Sequence, residues 1–103
     1  FEVVAITDAH DALNKLSLGT HPDVILLDII MPGMDGFTFL EEVGKQKLAG
    51  TSIFIILSNL GQKEDIEKGL HLGAHGYIIK ASSTPSEVVT KVKQIVAEHS
   101  SAK

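Results

Sequence analysis

Apolar and polar positions follow two alternating patterns along the chain. Glu2 to Ile6 is a short run of mostly β-branched residues. Asp23 to Asp28 (Asp-Val-Ile-Leu-Leu-Asp) and Ser52 to Ser58 (Ser-Ile-Phe-Ile-Ile-Leu-Ser) are apolar without alternation, as in strands buried on both faces of a parallel sheet. Gly76 to Lys80 is a fourth, shorter run of this kind. Between the runs, apolar residues recur at helical spacing, with Phe37, Leu40 and Val43 on one face and Val88, Val89, Val92, Ile95 and Val96 as the buried stripe of another. These patterns predict helices over about 9 to 18, 36 to 46, 62 to 72 and 84 to 98.

The helix ends carry their own signals. Thr7 or Asp8 and then Asp35 can serve as N-caps, and Gly19 and Gly73 as stops. Thr84-Pro85-Ser86-Glu87 joins a capping box to a proline at the first helical position. Met31 to Gly36 reads as a loop, Asn59 to Gly61 as a break, and residues 99 to 103 as a frayed tail. Four β-α units with strands about 25 residues apart predict an α/β fold, a parallel sheet with helices on its faces.

Composition narrows the class. With 103 residues, 44% hydrophobic and 21% charged, one packed domain spanning 1 to 103 is expected, without disorder or fibrous repeats. The longest apolar runs fall far short of the roughly 20 residues that span a bilayer. A net charge of −4 and the lack of any basic run argue against direct nucleic-acid binding. The absence of cysteine removes disulfides, thiol nucleophiles and Cys-ligated metals, and mildly favours a reducing compartment. Residue 1 is Phe rather than Met, which reads as part of a longer or a processed chain.

Ligands of open α/β sheets bind outside the carboxyl ends of the strands. Those ends here are Ile6 to Asp8, Asp28, Ser58 with Asn59, and Lys80. Taken singly, Asp28 fits a turn or cap, Ser58 a hydroxyl bonded to its own backbone, and Lys80 a surface lysine. Together they are an acid, an alcohol and an amine ending three successive strands at one sheet edge. A carboxylate can attack a phosphoryl group when cations offset the charge that develops on its oxygens, and a nearby hydroxyl can hydrogen-bond the product. The trio therefore suggests a phosphorylation switch in which Asp28 accepts, Lys80 pairs and Ser58 senses.

The segments Asp-Val-Ile-Leu-Leu-Asp-Ile-Ile-Met-Pro-Gly-Met-Asp-Gly (23 to 36), Ile-Phe-Ile-Ile-Leu-Ser-Asn (53 to 59) and Gly-Ala-His-Gly-Tyr-Ile-Ile-Lys (73 to 80) resemble a CheY-like receiver domain of a bacterial two-component response regulator. The intervals of 30 residues from Asp28 to Ser58 and 22 from Ser58 to Lys80 fit that resemblance. It implies a flavodoxin-like fold, strand order 2-1-3-4-5, in a cytoplasmic, non-enzymatic signalling protein. It also implies that Asp28 is the phosphoacceptor, Lys80 the paired lysine, Ser58 the switch hydroxyl and Tyr77 the switch aromatic. Ile30 would offer its backbone carbonyl to Mg²⁺, and Asn59 would sit beside the phosphoryl group. A sensor histidine kinase or a phosphotransfer protein is the implied partner.

The chain also departs from that pattern. By the resemblance it begins at the family's second strand, so the first strand, its acidic pair and the first helix have no counterpart. Since Mg²⁺ needs more than one oxygen ligand besides water, the chain is expected to hold it weakly or not at all. The first strand would lack its central neighbour, with three possible outcomes: a preceding segment supplies it, the strand closes directly onto Asp23 to Asp28, or a second chain fills the gap. An uncovered face beside the last helix would invite self-association. The alternative function is thus a non-phosphorylated interaction module, or a truncated fragment that self-associates. Ala81 stands where receivers usually carry proline after the lysine, which leaves the placement of Lys80 open.

The remaining signals are weak. His71 and His75 are four apart, but Gly73 between them ends the helix and argues against a metal pair. His10, His21 and His99 are scattered. Met31 and Met34 fit packing under their loop, and Phe37, Phe39 and Phe54 fit the core.

Overall fold

The computed structural model describes residues 2–20, 22–48, 50, 52–59 and 61–100, apart from the side chain of Ser100. Four strands, β1 (Val3–Ile6), β2 (Val24–Leu27), β3 (Ile53–Ser58) and β4 (Gly76–Ile79), alternate with helices α1 (Ala9–Ser17), α2 (Gly36–Gln46), α3 (Lys63–His71) and α4 (Pro85–Ser100). A single 3₁₀ turn, Lys80–Ser82, follows β4.

All pairings are parallel, and the strands lie in the order β1-β2-β3-β4. Val3 faces Val24 and Ile6 faces Leu27, so the first strand closes directly onto the second, which is the second of the three expected outcomes. The sequential order also explains the layers. Three crossovers running in one direction with the same hand must put their helices on one face. Accordingly α1, α2 and α3 cover the face of Ile25, Leu27, Phe54 and Ile56. Helix α4 crosses back to no strand, and it covers the other face through Val88, Val92, Ile95 and Val96 against Val24, Ile55 and Ile78; Val89, expected in this stripe, lies about 100° round the helix from Val88 and is 53% exposed.

The caps form as the sequence suggests. Asp8 and Asp35 accept from the N–H groups of Asp11 and Thr38, at 3.1 and 2.8 Å. Thr84 and Glu87 exchange both bonds of a capping box. Phe37, Phe39 and Phe54 are buried, and Met31 and Met34 pack against their cluster.

The tail is different. His99 and Ser100 belong to α4, and the frayed segment expected from 99 cannot be followed past Ser100, since 101 to 103 and His21 lie outside the described residues. His99 Nε2 lies 3.4 Å from the His75 carbonyl, and the two imidazoles meet edge to face at 4.7 Å. His75 in turn uses Nδ1 to accept the Phe54 N–H at 3.0 Å. This contact holds the end of α4 to the sheet, and it depended on a packing of β3 against the β4 loop that spacing alone did not reveal.

Candidate functional site

Asp28 is the first residue past β2, where an apolar strand leaves the core and a carboxylate reaches solvent. Its backbone is held by α2. Gly36 N–H donates to the Ile29 carbonyl at 2.7 Å, and a Cβ on Gly36 would lie only 2.6 Å from the Asp28 carbonyl oxygen. Glycine is therefore what lets the N-terminus of α2 press against this bend. The Asp28 side chain is oriented in turn, because Oδ1 accepts the Ile30 N–H at 3.2 Å.

Lys80 begins the 3₁₀ turn after β4, two strands away from β2 and hence about 10 Å across the sheet. Its long side chain crosses the end of β3 and places Nζ 3.0 Å from Asp28 Oδ2. The Lys80–Ala81 bond is trans, so the absent proline does not displace the amine.

Ser58 ends β3 between them and is 1% exposed. Its hydroxyl hydrogen-bonds the Asp28 carboxylate and the Tyr77 phenol. The register explains this position: Tyr77 pairs with Ile56 and Ile79 with Ser58, so Tyr77 is the diagonal neighbour of Ser58 on the face covered by α1–α3. A hydroxyl has one rotatable proton and two lone pairs, so Ser58 can serve both neighbours.

The electrostatics follow from these contacts. Burial pushes the Asp28 carboxyl up. The Lys80 hydrogen bond, the Ile30 N–H, the Lys80 charge and the Ser58 hydroxyl outweigh that and hold its pKa below the ordinary carboxylate value. Burial and the Asp65 charge push the Tyr77 phenol up; Ser58 works against them, and Asp28 adds to them. Asp28 stays ionised near neutral pH, and Tyr77 stays protonated.

A depression of about 250 Å³ opens beside the pair, lined by Thr7, Leu26, Asp28, Ile30, Leu57 and Lys80 among others. It can admit a small anionic group to the carboxylate. The exposed Asn59 follows Ser58 at the same rim, and Ile30 is 75% exposed. The resemblance to receiver domains implies an acidic pocket for Mg²⁺. Among the described residues, however, no three His, Cys, Asp or Glu side chains converge. Asp8, at the end of β1, caps α1 and does not line this depression. Asp28 and the Ile30 carbonyl alone do not make the multi-carboxylate set that a hard cation prefers.

The sequence-based trio thus converges as expected, and Tyr77 joins it through Ser58. What spacing did not disclose is Gly36, whose role depends on a close backbone approach between two elements. Among the described residues, no helix is long and apolar enough to cross a membrane.

Residues 1–93 match the family model described as the response regulator receiver domain. The chain is 33% identical over 96 residues to the phosphate regulon transcriptional regulatory protein PhoB of Escherichia coli, covering 93% of this chain and 41% of that protein. It is 36% identical over 98 residues to the alkaline phosphatase synthesis transcriptional regulatory protein PhoP of Bacillus subtilis, covering 93% and 38%. The chain therefore spans well under half the length of these relatives. Among solved structures, the receiver domain of Francisella response regulator 1452 aligns with a TM-score of 0.76 at 24% identity, over 93% of this chain and 95% of that one. The chemotaxis response regulator CheY4 of Vibrio cholerae aligns at 0.76 and 22%, over 90% and 96%. At these identities the structural likenesses bear on the fold.

Proposed function

This chain belongs to the response regulator receiver domain family of two-component systems, and on that premise we propose that Asp28 accepts a phosphoryl group from a histidine kinase or a phosphotransfer protein. The observation that carries the reading is the 3.0 Å contact between Lys80 Nζ and Asp28 Oδ2 with the buried Ser58 hydroxyl on the same carboxylate. An Asp28 oxygen forms the new P–O bond as the P–N bond to the donor imidazole breaks, and that nitrogen takes up a proton from solvent. The Lys80 ammonium lies where it can offset charge on the equatorial oxygens.

Once phosphorylated, the Asp28 side chain carries about −1.5 to −2 of charge in place of the carboxylate's single charge, and it presents three phosphoryl oxygens as acceptors. Ser58 and Lys80 would turn toward the phosphoryl group. Because Ser58 also holds Tyr77, the hydroxyl's move would change the phenol's position and thus the surface formed by Tyr77 and the last helices. Asn59, exposed beside Ser58, would modulate how long the acyl phosphate lasts. The Ile30 carbonyl would contribute a main-chain oxygen to any bound cation.

One observation favours a second reading. With a single carboxylate at the rim, the domain would act as an interaction module that does not accept phosphate and would self-associate through the apolar face beside α4, where Val3 is 44% exposed. Incubation with a small acyl-phosphate donor in Mg²⁺ buffer separates the two. Label that is taken up, and lost on Asp28→Asn, supports the switch. No label, together with no saturable Mg²⁺ binding, supports the module. Label retained by Asp28→Asn removes Asp28 from the role.

A further inference from the structure

Strand β1 is an outer strand of the sheet. The direction of its main-chain groups follows from one bond: Val24 N–H donates to the Glu2 carbonyl at 3.0 Å. With Val3 opposite Val24 and Ala5 opposite Leu26, the parallel pattern turns both main-chain groups of Val4 toward β2. It turns those of Val3 and Ala5 away, onto the open edge.

Along this edge runs a groove of about 520 Å³ between β1 and α1. Val4, Ile6, Leu16 and Ile25 supply its apolar lining, and Glu2 and Asp8 stand at its two ends. Asp23 adds a third carboxylate beside Glu2, whose N–H it accepts at 2.6 Å. Lys15, the cation of the groove, lies 3.1 Å from Asp11 and is neutralised by it. Glu2, Asp8 and Asp23 have no ion-pair partner among the described residues.

This charge pattern selects the occupant. Two copies pairing antiparallel about Ala5 would set Glu2 of each against Asp8 of the other, so in that register like charges would meet at both ends. A strand carrying lysine or arginine meets opposite charge at the same places. Its alternate apolar side chains can enter the groove while its backbone bonds Val3 and Ala5. We propose that the open edge of β1 and the groove beneath it form a docking site for an extended polypeptide segment that alternates apolar and basic residues.

A dye-labelled Lys-Val-Lys-Val-Lys-Val-Lys peptide and its glutamate counterpart test this against the intact chain. Anisotropy should report saturable binding of the basic peptide alone, weaker at high salt. Ala5→Pro removes an outward N–H without breaking the ladder to β2 and should weaken binding about tenfold. In the unsubstituted chain, hydrogen exchange at Val3 and Ala5 should slow only when peptide is present, while Val4 and Ile6 are protected throughout. That exchange pattern decides the matter alone should Ala5→Pro unsettle the fold. Absent binding, equal binding of the acidic peptide, or unchanged exchange at Val3 and Ala5 overturns the proposal. A dimer that Ala5→Pro dissolves would instead assign the edge to a second copy.

Discussion

Asp28 balances burial, which favours its neutral form, against Lys80, Ile30 and Ser58, which favour the charged one, and the latter prevail. Lys80→Met removes two of the lowering contributions, so the Asp28 pKa followed by carbon-13 NMR should rise. Because the folded pKa is depressed, the pair's stabilisation is present above about pH 4 and is lost as the pH falls below it. The side chains of Lys80 and Asp28 are 45% and 30% exposed, so Lys80→Met should cost less than about 1 kcal/mol in urea unfolding. Phosphoryl uptake from a small donor should nonetheless slow about tenfold, because the lost cation acts on charge that appears only in transfer. An unchanged rate would separate the ion pair from the chemistry. These residues were legible in the sequence because each ends an apolar run, and the ends of neighbouring parallel strands must meet. The His75–His99 contact was not, because it depends on where α4 comes to rest.

Helix α2 shows how an element sets the site. Its Asp35 cap and apolar face could be read directly, as could the Thr84–Glu87 box of α4, since both are local patterns. The closeness of Gly36 to the Asp28 carbonyl is a contact between elements, and nothing in the spacing of a Pro-Gly-Met-Asp-Gly loop separates it from ordinary turn glycines. Gly36→Ala meets main-chain atoms, Asp28 O at 2.6 Å and Ile29 Cα at 2.9 Å, which cannot swing aside. The substitution should destabilise by about 1–3 kcal/mol and shift the Asp28 and Lys80 resonances; spectra unchanged beyond residue 36 would show that the helix does not position the acid. By contrast, Thr84→Ala should lower stability by about 1 kcal/mol through the lost cap alone, leaving phosphoryl uptake intact.

At the scale of the molecule, the class, the parallel pairing and the number of units were legible, whereas the direct closure of β1 onto β2 was one of three open outcomes. Periodicity identifies a strand but not its neighbour; the bonds from Val24 to Glu2 and the Val3 to Val24 register decide that. One face carries three helices and the other only α4, whose C-terminal end is tied down by His75 and His99. Burial first, and then the His99 charge, lower the His75 pKa. The unfolded chain thus takes up the proton before the folded one. Stability from this contact is present above about pH 6.5 and is lost as the pH falls below that value. The urea midpoint should drop between pH 8 and pH 5, and His75→Asn, which keeps an acceptor without titrating there, should flatten that drop. The wider account depends on where phosphate lands. Borohydride reduction of the phosphorylated chain converts an acyl phosphate to homoserine, and peptide mass spectrometry then reads its position. Homoserine is expected at residue 28; homoserine at Asp8, Asp23 or Asp35 with residue 28 unchanged would contradict the role of Asp28 as phosphoacceptor.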